Sequence, residues 1–135
     1  MKLNMKKVIV TGHGGYAEGV KLNLEMIVGP LENMYFVDLT KEDDMAALEN
    51  KVTQLVNSFD EEDEVLFACD LLGASPFRVA AMLCAEHPGK YVAVTGLNTM
   101  AFIEINLNKD SDMTVGELAD LALETARAAA VKFPE

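Results

Sequence analysis

Basic residues are scarce in this chain. Eleven lysines and arginines stand against 22 aspartates and glutamates, a formal net charge of -11 over 135 residues. No Lys/Arg cluster interrupts that acidity, and the phosphates of a nucleic acid would be repelled by such a surface, which excludes nucleic-acid binding. A protein partner with a basic patch suits the charge better. Cysteine is rare too: Cys69 and Cys84 lie in apolar surroundings without the C-x-x-C spacing of zinc or redox sites, and read as buried thiols. Long apolar runs are missing. Nothing approaches the ~18 residues that cross a bilayer, and the start MKLNMKK leads into a strand-like segment rather than a signal peptide, so a cytoplasmic location is expected. The glycine-rich stretch Gly12-His13-Gly14-Gly15 lacks both the Lys-Ser/Thr of a nucleotide-binding loop and the full G-x-G-x-x-G spacing.

What is present is a chain half apolar, enough to bury the core of one domain over residues 1-135 without metal or disulfide support. Four β-type runs, KKVIVT, NMYFVDL, EVLFACD and KYVAVTG, are each followed by a helical pattern. They read as continuous apolar segments rather than alternating ones, the mark of strands buried on both faces of a parallel sheet. The first helix is expected from Tyr16 to the Gly29-Pro30 stop, with Ala17, Val20, Leu24, Ile27 and Val28 on its buried face. A second is expected to open at Thr40 in a capping box with Asp43 and to bury Met45, Leu48, Val52, Leu55, Val56 and Phe59. A third has Ser75 at its N-cap and Pro76 at the first helical position, and ends at Pro88-Gly89, where His87 can bond free carbonyls. A fourth covers NTMAFIEINL. The last starts from a Thr114–Glu117 capping box and carries Leu118, Leu121, Ala122, Ala129 and Phe133 inward. The acidic run DEEDE at 60–64 reads as a solvated loop, and the eight methionines as core filler.

Alternating strands and helices imply right-handed crossovers and an α/β, doubly wound open sheet of at least four parallel strands with helices on both faces. In strand order 2-1-3-4 the ligand crevice falls beyond the carboxyl ends of strands 1 and 3. The loops after those strands carry His13 and Asp70. A neutral imidazole flanked by glycines is a competent, unscreened nucleophile. A carboxylate beside it can hold one ring nitrogen and leave the other basic. Ser75, with the free N–H groups of a helix N-terminus, offers a phosphate cradle. Each residue alone also has an ordinary reading: His13 bonding within its turn, Asp70 capping its own loop, Ser75 simply starting a helix.

Two stretches, VTGHGGYAEGV and DLLGASPFRVA, resemble at their mutual spacing the mannose-type (mannose/fructose/sorbose) family of enzyme IIA components of the bacterial phosphoenolpyruvate-dependent sugar phosphotransferase system. The second corresponds to the family pattern D-x-x-G-[GA]-S-P-F-[NR]. What the resemblance implies is a phosphotransferase in which His13 accepts a phosphoryl group on Nε2 from the histidine carrier protein HPr and passes it to a IIB component. Asp70 would hold Nδ1–H, and Ser75, with Gly12, Gly14, Gly73 and Ala74, would bind the phosphoryl oxygens. It further implies no cofactor and no metal, a homodimer, formed in some members by exchange of a C-terminal strand but expected here to form by helix packing because this chain stops soon after its last helix, and contact with the membrane only through the IIC/IID permease. Two departures stand out: GLNTMAF replaces the family's Asn-Leu-Pro after strand 4, and Arg78 stands where asparagine is frequent. The alternatives are a phosphotransfer subunit feeding dihydroxyacetone kinase and a non-enzymatic module that binds a phosphorylated ligand.

Overall fold

The computed structural model describes residues 6–135; the opening MKLNM, read above as the lead into the first strand, lies outside them. Along the chain run β1 (Lys6–His13), α1 (Tyr16–Val28), β2 (Met34–Leu39), α2 (Met45–Asn57), β3 (Glu64–Cys69), α3 (Ser75–Glu86), β4 (Tyr91–Thr95), α4 (Thr99–Asn108) and α5 (Val115–Ala129). The strands form one parallel sheet in the order β2-β1-β3-β4, as expected, with Thr11 of β1 opposite Cys69 of β3 and His13 opposite Leu39 of β2.

The sheet is covered on both faces, which is why its strands are apolar at successive positions. Val8, Val10, Leu66, Ala68 and Val94 face Leu24, Phe102, Ile105, Leu118 and Ala122 of α1, α4 and α5. Ile9, Val65, Phe67 and Cys69 face Leu48, Val52 and Val56 of α2 and Val79 and Leu83 of α3. The chain thus changes faces between α1 and α2, and the crevice this opens lies over the ends of β1 and β3. The α4–α5 hairpin is tied to the sheet's opposite end: Val115 N–H donates to Glu64 Oε1 at 2.7 Å, and the buried Lys6 Nζ donates to Ser111 O at 2.6 Å.

Several expectations are corrected. Helix α2 starts at Met45, capped by Asp44, whose carboxylate accepts from Ala47 N–H; Thr40 and Asp43 do bond each other, but in the turn before it. A carboxylate can close a turn as readily as it caps a helix, and the spacing alone does not tell the two apart. In α3 the N-cap is Ala74, without a side-chain cap, and Ser75 is the first helical residue. On α1, Ile27 is exposed because the buried stripe narrows to Ala17 and Leu24. Phe133 lies past the end of α5 and is 95% exposed. The acidic run is not all solvated: Asp63 is buried and accepts from Asp60 N–H, and Glu64 belongs to β3. Among the methionines, Met34 is in the core, but Met26, Met82 and Met100 are exposed.

Other details stand as read. The Thr114–Glu117 capping box forms in both directions, and His87 Nδ1 lies 2.9 Å from Leu83 O with its ring stacked on Tyr91. Asp43 is held down to about 2, first by the hydrogen bond from Lys51 and then by those from Thr40. A carboxyl with a depressed folded-state pKa stabilises the fold at neutral pH and loses that effect in acid. The contribution is complete above the ordinary value of 3.8 and vanishes as pH falls through about 2. Urea melts of the protein and of Asp43→Asn should therefore differ at pH 6 and converge toward pH 2; a gap that persists in acid would refute this.

The thiols are less alike than the sequence suggests: Cys69 is buried, while Cys84 is half-buried. Burial first, then the charge of Asp70, pushes Cys69 up to about 12; burial pushes Cys84 up to about 11. Because only the thiolate is nucleophilic, iodoacetamide at pH 8 should label the native protein at least ~100-fold more slowly than the urea-unfolded chain, Cys84 ahead of Cys69. Native Cys69 labelled at the unfolded rate would contradict this.

Candidate functional site

The site forms where β1 and β3 end. His13 is the last residue of β1, and its side chain stays 45% exposed because the glycines after it project no side chain over the ring. Gly14 adopts φ +63°, a left-handed turn that a glycine enters without penalty, and its N–H donates to Leu39 O at 2.9 Å. The chain then enters α1, whose first amides are taken by a carboxylate at the end of β2: Ala17 N–H and Glu18 N–H donate to Asp38 at 2.8 and 3.1 Å. A side chain remote in sequence therefore holds the start of α1.

Asp70 follows β3 directly. Its Oδ2 accepts two hydrogen bonds from the same residue, one from His13 N–H at 2.9 Å and one at 2.9 Å from the ring nitrogen Nδ1. The backbone bond fixes where His13 sits and the side-chain bond fixes how its ring is turned. With Asp70 ionised, Nδ1 carries the proton and Nε2 keeps its lone pair. The carboxylate is much less exposed than the imidazole, at 16%, and Oδ1 is buried with no hydrogen-bond partner among the described residues.

The loop from Leu71 to Ala74 leads into α3 with Gly73 at φ +81°, and Arg78 Nε donates back to Gly73 O at 3.0 Å. No acidic residue occupies the first turn of α3, so its positive dipole end is unopposed. Leu71 and Leu72 are exposed in this loop.

The expected pair, His13 and Asp70, is thus in contact, and Gly73, Ala74 and Ser75 lie in the following loop and helix start. Gly12 and Gly14, expected among the phosphate-binding residues, do other work. Gly12 is buried in β1 beneath Tyr16 and Asp70, and the Gly14 N–H is already committed to Leu39. Two contributors were missed from sequence. Asp38 carried no local signal, being simply a polar residue near a strand end. Tyr16 opens a helix and carries no other signal in its local pattern, yet its ring and the Asp70 carboxylate both approach the same point beside Gly12. Among the described residues no group of three His, Cys, Asp or Glu is placed to hold a metal ion, and no helix is long and apolar enough to cross a membrane.

Comparison with known proteins places this chain among relatives. The profile of the family described as "PTS system fructose IIA component" matches residues 7–123. The mannose-specific EIIAB component of Escherichia coli (strain K12) is 29% identical over 120 residues, which are 89% of this chain but 37% of that protein's length. The fructose-specific EIIA component of Bacillus subtilis (strain 168) is 33% identical over 101 residues, 75% of this chain and 68% of that one. The phosphotransferase system component EIIA from Streptococcus agalactiae superposes with a TM-score of 0.87 at 27% identity, covering 96% of this chain and 98% of that chain.

Proposed function

Because the chain belongs to the family of phosphotransferase-system fructose IIA components, we propose that it is a phosphocarrier in sugar uptake, with His13 as the residue that is phosphorylated. In this proposal residues 1–135 act as one IIA domain. Nε2 attacks the phosphorus of phosphorylated HPr; the new N–P bond forms as the old one breaks, and the leaving imidazole of HPr keeps the bonding electron pair. Positive charge that develops on the His13 ring is met by Asp70 through Nδ1–H. The three phosphoryl oxygens take N–H groups at the start of α3 and the Ser75 hydroxyl, with Gly73 and Ala74 shaping the approach. Phosphoryl transfer asks chiefly for such positioning and charge stabilisation. The same steps in reverse pass the group to a IIB component.

The observation that carries this reading is the 2.9 Å contact of Nδ1 with Asp70 Oδ2 on a ring left 45% exposed, an arrangement that frees Nε2 for a visiting protein. A homodimer belongs to the same proposal.

Incubation with enzyme I, HPr and phosphoenolpyruvate should place one acid-labile phosphoryl group on the protein and none on His13→Ala. Labelling that survives His13→Ala would end the proposal. Draining the labelled protein with a IIB component or with a dihydroxyacetone kinase separates the two acceptors.

A further inference from the structure

We propose that the guanidinium of Arg78 binds the phosphoryl group carried by His13, supplying from a side chain the donors that the start of α3 lacks. The proposal rests on the phosphocarrier reading and adds to its cradle a residue that stands where the family often has asparagine.

The start of α3 is poor in free donors. A helix ordinarily leaves its first four N–H groups without partners. In α3 these belong to Ala74, Ser75, Pro76 and Phe77, and Arg78 N–H already donates within the helix, to Ala74 O at 2.9 Å. Ala74 N–H donates to Leu71 O at 3.4 Å, and proline has no N–H to give. Only the N–H groups of Ser75 and Phe77 and the Ser75 hydroxyl remain. A phosphoryl group presents three strong acceptor oxygens, each able to take more than one bond.

Arg78 lies where the shortfall arises. Long side chains on a helix lean back toward its N-terminus. Arg78 does so: its Nε donates to Gly73 O at 3.0 Å, which holds the guanidinium at the entry to α3 rather than along its body. That bond uses one of five N–H donors, and the two terminal nitrogens have no partner among the described residues. Gly73 is three residues beyond Asp70, whose Oδ2 lies 2.9 Å from His13 Nδ1.

The charge balance points the same way. Arg78 is one of two arginines in a chain with 22 acidic residues, yet it pairs with no carboxylate among the described residues. A cation in the first turn of a helix opposes the dipole, and no acidic residue there offsets it. Two positive features therefore meet at one place without a counter-charge. An anion arriving from outside removes the conflict, and the planar guanidinium fork matches the geometry of phosphoryl oxygens.

Arg78 is exposed beside Leu71 and Leu72, so a role confined to docking the partner protein is the competing explanation. Phosphoramidate separates the two, because it loads histidine without a protein: Nε2 takes the phosphoryl group and ammonia leaves. Arg78→Asn should lower both kcat for acceptance from phosphorylated HPr and the loading rate with phosphoramidate about tenfold, the equivalent of one ordinary hydrogen bond, with KM for HPr unchanged. Arg78→Lys keeps the charge without the fork and should lose about threefold in both. A higher KM for HPr with phosphoramidate loading unaffected would make Arg78 a docking residue and overturn the proposal, as would wild-type rates with both donors. If the variants do not fold, wild type decides: the 15N signal of Arg78 Nε–H should move when His13 is loaded, and an unmoved signal overturns the proposal. Wild type loaded by phosphoramidate but not by HPr would sink the carrier reading alone; wild type loaded by neither would end both.

Discussion

Asp70→Asn is expected to cut phosphoryl acceptance at His13 on the order of 10²–10⁴-fold and to leave the protein folded. The reason lies in what the two carboxylate oxygens do. Oδ2 takes the His13 main-chain N–H and Nδ1 together, so the carboxylate sets both the place of the residue and the tautomer of its ring. An amide still has one oxygen to accept a bond from the main chain. That oxygen sits where both bonds converge, and being neutral it holds Nδ1–H more weakly and leaves the positive charge that develops on the ring unmet. Stability should change little, within ~1 kcal/mol, because losing charge-assisted bonds is offset by no longer burying a carboxylate oxygen that has no partner. Transfer from phosphorylated HPr and a urea melt on the same sample check both halves. A variant with wild-type transfer would show that Asp70 does not orient the ring, and one that fails to fold would show that its bonds to His13 hold β1 and β3 together.

Gly12→Ala is expected to be nearly as damaging, from a single added methyl group. The new Cβ would stand 2.6 Å from Tyr16 Cδ2 and 2.8 Å from Asp70 Cγ, distances at which something must move. Helix α1 is anchored through Ala17 and Glu18 to Asp38, and Asp70 is held by two bonds to His13, so neither neighbour is free to retreat. Overpacking of this kind costs about 1–3 kcal/mol. A displacement of Asp70 by even part of an ångström should further reduce transfer by about tenfold or more, since misplacing a catalytic group by 1 Å can cost ~100-fold. Gly15→Ala is the control: no atom lies within 4 Å of its added Cβ and its φ is -104°, so stability should stay within ~0.5 kcal/mol of wild type. Urea melts and phosphoryl labelling of the two variants side by side test the contrast. Equal behaviour would mean that the close approach over Gly12 has no consequence.

Much of this protein could be read before any coordinates were known, and the parts that could are those written in local pattern. Apolar runs between helical periods imply a parallel sheet buried on both faces, and crossovers of one hand narrow the strand orders open to it, of which the sheet takes β2-β1-β3-β4. The Thr114–Glu117 box and the Asn98 cap of α4 lie within four residues of the amides they satisfy, so short-range chemistry decides them. The same chemistry misled at Thr40 and Asp43, whose mutual bonds close a turn while Asp44 caps the helix. A local rule names candidate partners but does not choose among adjacent carboxylates.

For the site, the sequence by itself determined the central pair, a histidine and an aspartate at the ends of neighbouring strands with a helix start close by, while Asp38 and Tyr16 carried no signal in it. Only the tertiary structure decided what those residues do to one another. That both His13 bonds converge on Oδ2, that Oδ1 is sealed, that Tyr16 lies over Gly12 and that Asp38 caps α1 from another strand are all contacts between segments some 20 to 57 residues apart or set by the packing of a helix on a strand end. Their physical cause is distance in space, which chain spacing specifies only once the sheet has brought the segments together.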